Sequence, residues 1–325
     1  MLALPQFTPG WKRAHEAAQF LGLALTAVLL FGLVAQPRTT LHILWDMVIP
    51  LLPAVFLVNP MLWRNVCPLA TLNVFTGARR SPGALSSAHL KAGWTIGLAL
   101  LAVMVPARRF VFNSDGPMLA LTIVVVACVA LLAGVLAPRR AGFCNSLCPV
   151  LPVEKLYGQS PLVKIGVARC NDCSVCTPLG CIDLAREKAA RQTLGPGAQT
   201  SGWIATPFGL FAAAFPGFII GYFTLSDGSL ATASVVYQHV IVWVLASVAM
   251  TAAIVLAFDV SARLGTAALG ALAVGLYYWY ASPTLSEAYG GGATAANALR
   301  AAALALIGWW FARTKSWTRS AWSSD

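Results

Sequence analysis

The chain has 325 residues, of which 58% are hydrophobic and only 10% charged, and its mean hydropathy is +0.73. A soluble protein carries roughly 25% charged residues, so this composition excludes a soluble domain and points to a lipid bilayer. The net charge of +11 would suit nucleic acid, but its placement between apolar runs argues against that partner.

The N-terminal arm carries Lys12 and Arg13 ahead of a long apolar run with no small-residue cleavage site. It reads as a retained first span rather than a signal peptide. About 20 apolar residues cross the hydrocarbon core as a helix. Eight stretches qualify, at about 15–35, 39–60, 88–107, 116–137, 203–224, 235–258, 262–281 and 295–314. The runs are continuous rather than alternating, which implies helices and not a barrel. The expected fold is an all-α integral membrane protein of about eight transmembrane helices with a cytoplasmic, ferredoxin-like cysteine-rich segment. Helices one to four and a first Cys-Pro loop at 61–87 occupy 1–137. The iron–sulfur segment occupies 138–202, and helices five to eight occupy 203–325.

Of the 22 Lys and Arg, 18 fall on the side of the termini and the two long connections, leaving Arg38, Arg108, Arg109 and Arg300 opposite. Positively charged loops stay in the cytoplasm. The chain is therefore expected in a bacterial cytoplasmic membrane as a multi-pass protein with both termini and the cysteine loops inside. Trp309, Trp310, Trp317 and Trp322 read as an interfacial anchor.

The second span holds His42 and Asp46, four residues apart and so on one helical face, followed by Pro50 and Pro53. Ionisable groups inside a span are costly and mark functional sites by default. This pair is a candidate proton acceptor for a quinol; a buried, merely structural pair is the alternative. His239 in the sixth span is expected at similar depth, and His15 and His89 lie near the inner edge. Two histidines at each level leave a b-type haem as a further candidate cofactor. Cys128, inside the fourth span, reads as a small packing residue.

Six cysteines fall between 144 and 181: Cys144 and Cys148-Pro149, then Cys170, Cys173, Cys176 and Cys181. The second group has C-x2-C-x2-C-x4-C spacing, the ligand run of bacterial-type iron–sulfur proteins. Zinc fits less well, because structural zinc takes paired knuckles, and cysteines so close cannot pair sensibly as disulfides. Residues 63–77 and 144–158 form an internal repeat in which Cys67-Pro68 matches Cys148-Pro149 and Gly77 matches Gly158. Trp63 stands where the second copy has Cys144. Cys67, Cys144, Cys148, Cys170, Cys173, Cys176 and Cys181 are thus the candidate metal ligands, one short of two all-cysteine [4Fe-4S] clusters. One cluster is expected, and a second is left open.

The cysteine loops and the ferredoxin-like run, over about residues 39–182, resemble the membrane polyferredoxins. These are typified by the NapH subunit of periplasmic nitrate reduction and the C-terminal half of NosR, with the CcoG/RdxA group more distant. The resemblance implies electron transfer between the quinone pool and a partner redox protein, as a quinol-dehydrogenase-type subunit at most. The chain departs from the family in its single cysteine in the first loop, its single ferredoxin-like run, Ile182 where proline is usual, and its four later spans. Two alternatives stand beside this reading: a structural or assembly subunit of a membrane redox complex, and a maturation or metal-handling membrane protein.

Overall fold

The computed structural model describes residues 9–77, 86–137, 140–163, 182, 186–195 and 201–317. The described residues are helical apart from turns and short connections. Seven helical stretches are long and apolar enough to cross a membrane: Arg13–Ala35, Pro37–Val58, Ala88–Phe112, Gly116–Leu136, Leu230–Phe258, Ala262–Ala288 and Ala293–Thr314. This is consistent with a multi-pass membrane protein. Large apolar side chains face outward, such as Phe20 and Phe31 in α1 (Pro9–Ala35), as lipid contact requires.

One of the eight expected runs falls short of that length. The run at 203–224 splits into a 3₁₀ turn, Ser201–Ala205, and α10, Pro207–Phe223, which has 17 residues. Thr206 caps α10 with its hydroxyl, which accepts from the Gly209 N–H at 3.0 Å. Most of α10 is buried, because it packs between α11 (Ala233–Phe258) and α12 (Ala262–Ala288). A helix wrapped by neighbours is covered by protein and need not match the bilayer alone. Gly217 makes this fit: a Cβ there would overlap the Trp243 carbonyl of α11.

The second span is interrupted as its prolines predict. It runs as α2 (Pro37–His42), a π-helical turn (Ile43–Val48), a 3₁₀ turn (Ile49–Leu51) and α3 (Leu52–Val58). A hydroxyl from α12 repairs the gap. Ala54 N–H donates to Tyr278 Oη at 2.9 Å, and Tyr278 Oη donates to the Pro50 carbonyl at 3.0 Å. A side chain inserted in the i→i−4 ladder is an established cause of a kink.

Beyond the span, α4 (Pro60–Val66) and α5 (Pro68–Gly77) form the first Cys-Pro turn. The third span, α6 (Ser87–Ala107), ends in a π-helical turn at Arg108–Phe112 and leads into α7 (Gly116–Leu136). A further π-helical turn, Phe143–Leu147, and α8 (Leu151–Tyr157) form the second Cys-Pro turn. Then come α9 (Arg186–Leu194) and, last, α13 (Ala293–Trp317).

All seven residues of α8 are buried, so this part of the connection is plugged into the end of the bundle. One hydrophobic core draws on all three sequence segments, with Phe56 and Trp94, Leu151 and Tyr157, and Trp203 and Trp310. Trp310 is fully buried and is a core residue, not an interfacial anchor, whereas its neighbour Trp309 is exposed. Trp322 lies outside the described residues. Cys128 is exposed on α7 and faces outward rather than packing inside.

Replacing Tyr278 by Phe strands the half-buried Ala54 N–H and the buried Pro50 carbonyl. The expected loss is about 1–3 kcal/mol, measured as a lower unfolding midpoint in detergent than that of the wild type.

Candidate functional site

Two sites lie at opposite ends of the bundle, joined by the second span. The first is built by the repeat. A residue before proline is pushed out of the helical region into an extended one. Cys67 (φ −57°, ψ 125°) and Cys148 (φ −63°, ψ 120°) adopt nearly the same backbone conformation. Each ends one helical segment and leads into the next. The backbone N–H groups of Ala70 and Leu69 favour the thiolate of Cys67, and that of Val150 favours the thiolate of Cys148. Hydrogen bonds to ligand sulfurs are one of the levers that set iron–sulfur potentials.

The structure gathers Cys67, Cys144 and Cys148 around one small apolar cluster with Ala70, Ala130, Ala133 and Phe143. Burial pushes both the Cys67 and Cys148 thiols up, and the Glu154 carboxylate adds to the effect at each. Behind them, α6 closes the wall: its Gly97 has room for the Leu147 and Cys148 carbonyls, which a Cβ would meet at 3.1 and 3.2 Å.

A polar tie fixes the two turns to each other. Arg64 Nη1 meets Glu154 Oε2 at 2.6 Å, with the two side chains only 3% and 2% exposed. The same guanidinium donates to the Cys144 carbonyl at 3.3 Å and to Asn145 Oδ1 at 2.8 Å. Arg140 donates in turn to the Arg64 carbonyl and to Asn65 Oδ1. In the repeat register Asn145 is the counterpart of Arg64, so equivalent positions of the two copies bond each other. Glu154 is the counterpart of Asn73, which donates instead to the Ala130 carbonyl at 3.1 Å.

Thiols are soft donors that suit iron–sulfur groups, zinc and Cu(I). Among the described residues, no three His, Cys, Asp or Glu side chains stand close enough to hold a single metal ion. A cubane presents a different iron to each sulfur, so its ligands stand further apart than those of one ion. The three thiols of this cluster match such a group in donor type. Cys170, Cys173, Cys176 and Cys181 lie outside the described residues.

The second site is a cavity of about 830 Å³ at the other end of the bundle. The second span contributes Arg38, His42, Trp45 and Asp46, and the α6–α7 junction contributes Arg108, Arg109 and Asn113. The end of α10 and the following loop supply Tyr222 and Asp227, and α12 supplies Tyr277 and Tyr280. His42 Nδ1 and Asp46 Oδ2 are 2.7 Å apart, as their spacing implies, and both side chains are partly exposed to the cavity. His239 is not in its wall. Its Nε2 is 2.8 Å from Thr224 Oγ1, and its ring lies edge-on to Trp243. The structure therefore unites His42 with Asp46 but leaves His239 apart. His89 sits in the first turn of α6, 2.7 Å from Oγ of the N-cap residue Ser86.

The three arginines of this cavity enter the sequence reading only as orientation charges. Their signal was their position: each flanks a span on the side where basic residues are scarce. Arg64 and Glu154 were also missed, because a buried pair from two distant loops leaves no spacing pattern.

Comparison with protein-family models, with curated proteins and with solved structures finds no match for this chain.

Removing one partner of a buried ion pair leaves an uncompensated charge. Arg64→Met is expected to cost about 3–5 kcal/mol, while Arg64→Met combined with Glu154→Leu should recover much of that loss. A double-mutant cycle on unfolding midpoints measures it.

Proposed function

We propose that the chain is a membrane-embedded electron-transfer protein whose cysteines hold at least one [4Fe-4S] cluster at the cytoplasmic face. It would exchange electrons between the quinone pool and a partner redox protein, with both termini in the cytoplasm. The observation that carries this reading is the meeting of Cys67, Cys144 and Cys148. They come from turns about 80 residues apart in the chain, and they pack in one apolar cluster, Cys144 buried and Cys67 and Cys148 partly buried. At Cys67 and Cys148 the backbone N–H groups of the helical turn that follows favour the thiolate.

When bound, such a cluster supplies one-electron storage. The chain's own residues do the remaining work. The Arg64–Glu154 tie sets the distance between the two turns, and α6 and α8 exclude water behind them. At the opposite end, the His42–Asp46 pair faces a cavity large enough for an organic ring, since ligand pockets run from about 300 to 1,000 Å³. Asp46 holds His42 by one ring nitrogen, which leaves the other able to accept a proton from a quinol hydroxyl. A haem is not favoured, because His42 and His239 do not converge.

Anaerobically purified protein is expected to contain iron and acid-labile sulfide and to give a cubane EPR signal on reduction. Cys148→Ser and Cys67→Ser should each lower the iron content, while Cys128→Ser should leave it intact. Equal iron and sulfide in all three variants would defeat the ligand assignment. Asp46→Asn should slow reduction by a quinol about tenfold or more, in line with the loss of general base assistance, without changing iron content. An unchanged rate returns the pair to a structural role.

A further inference from the structure

The cavity beneath Arg38 and Arg108 holds more positive charge than its carboxylates answer. Three guanidinium groups line it against two carboxylates, Asp46 and Asp227. Both carboxylates are already engaged. Asp46 is held by His42 at 2.7 Å, and Asp227 is held by Arg109 Nη1 at 2.9 Å and by Asn113 Nδ2 at 2.9 Å. Among the described residues, no carboxylate stands within ion-pair distance of Arg38 or Arg108.

Arg108 is also held in place. Its guanidinium carbon lies 3.7 Å from the centroid of the Trp45 ring and 5.4 Å from that of Tyr222. Its Nε donates to Asn113 Oδ1 at 3.2 Å. Trp45 is itself anchored, donating Nε1–H to the Phe112 carbonyl at 2.8 Å. Cation–π contacts and one hydrogen bond fix the plane of the guanidinium while using one of its five N–H groups. A pre-aimed fork of this kind is the arrangement that recognises planar or tetrahedral oxyanions. An arginine at the end of a span without a carboxylate partner is costly to desolvate, and three of the four arginines on this side of the chain line one cavity.

We propose that this cavity is a phosphate-binding site, in which Arg108 and Arg38 grip the oxyanion while Trp45 and Tyr222 hold Arg108 in position. Phosphate at this depth has two sources, the headgroup of an anionic phospholipid and free phosphate from the aqueous phase. The site shares the cavity with the His42–Asp46 pair but does not rest on the iron–sulfur reading, because its test needs no redox measurement.

The full-length protein is compared in nanodiscs of phosphatidylcholine alone and of phosphatidylcholine with phosphatidylglycerol. In a second arm, inorganic phosphate is titrated in detergent against chloride at matched ionic strength. Thermal unfolding is read in both arms. A higher unfolding midpoint with phosphatidylglycerol supports the site and assigns it to lipid; a higher midpoint with inorganic phosphate supports it and assigns it to the free ion. Arg108→Gln and Arg38→Gln should each weaken the response about tenfold in ligand concentration. Arg38 is exposed, so its variant keeps the test valid if Arg108→Gln folds poorly. No response in either arm, or an undiminished response in the Arg38→Gln variant together with any folded Arg108→Gln, overturns the proposal.

Discussion

The contact between Arg64 and Glu154 holds the cysteine end of this molecule together. Arg64 comes from the first Cys-Pro turn and Glu154 from the second, and neither side chain is more than 3% exposed. A buried pair rarely adds net stability, since desolvation offsets the attraction, but it does fix which groups stand opposite each other. Here it fixes the register of two loops that carry the thiols. Around it, Asn145, Arg140 and Asn65 complete the hydrogen bonds that an isolated pair would leave unmade. The cysteine cluster depends on that register, because Cys67 and Cys144 belong to different loops with no covalent reason to meet.

Irregular backbone collects at the two candidate sites. Among the described residues, π-helical turns occur at Ile43–Val48, Arg108–Phe112 and Phe143–Leu147. The first two carry Trp45, Asp46, Arg108 and Arg109 into the cavity, and the third carries Cys144 to the thiol cluster. Such turns are uncommon and cluster at functional positions. Each is a local loss of helical hydrogen bonding that neighbouring groups must satisfy inside a membrane. Tyr278 does so for Pro50, and the indole of Trp45 takes up the Phe112 carbonyl. The same devices that repair the backbone also hold the side chains of the cavity in place.

Much of this plan was legible in the sequence. Long apolar runs gave the spans, prolines marked the break in the second one, and the His42–Asp46 spacing gave a bonded pair. The Cys-Pro repeat gave two turns of matching backbone geometry, because proline constrains the residue before it wherever it occurs. Composition fails where burial is decided by neighbours. Residues 203–224 are as apolar as a lipid-facing span, yet α10 is short and wrapped by other helices; Trp310 looks like an interfacial anchor but is core. Cys128 is the reverse case, a small residue that faces outward. Contacts between distant segments, such as Arg64 with Glu154 or Arg108 over Trp45, leave no periodicity and emerge only in three dimensions.

The two sites divide the bundle into an end rich in sulfur and an end rich in guanidinium and aromatic groups, with the kinked second span touching both. The proposed roles follow this division, with electron transfer at the sulfur end and proton and anion handling at the other. The proposed function requires that the cysteines of the two turns hold iron through sulfur. X-ray absorption at the iron edge of anaerobically purified protein tests this most directly. The expected result is a first shell of sulfur alone with iron–iron scattering behind it. An iron-free protein, or a first shell of nitrogen and oxygen, would contradict it.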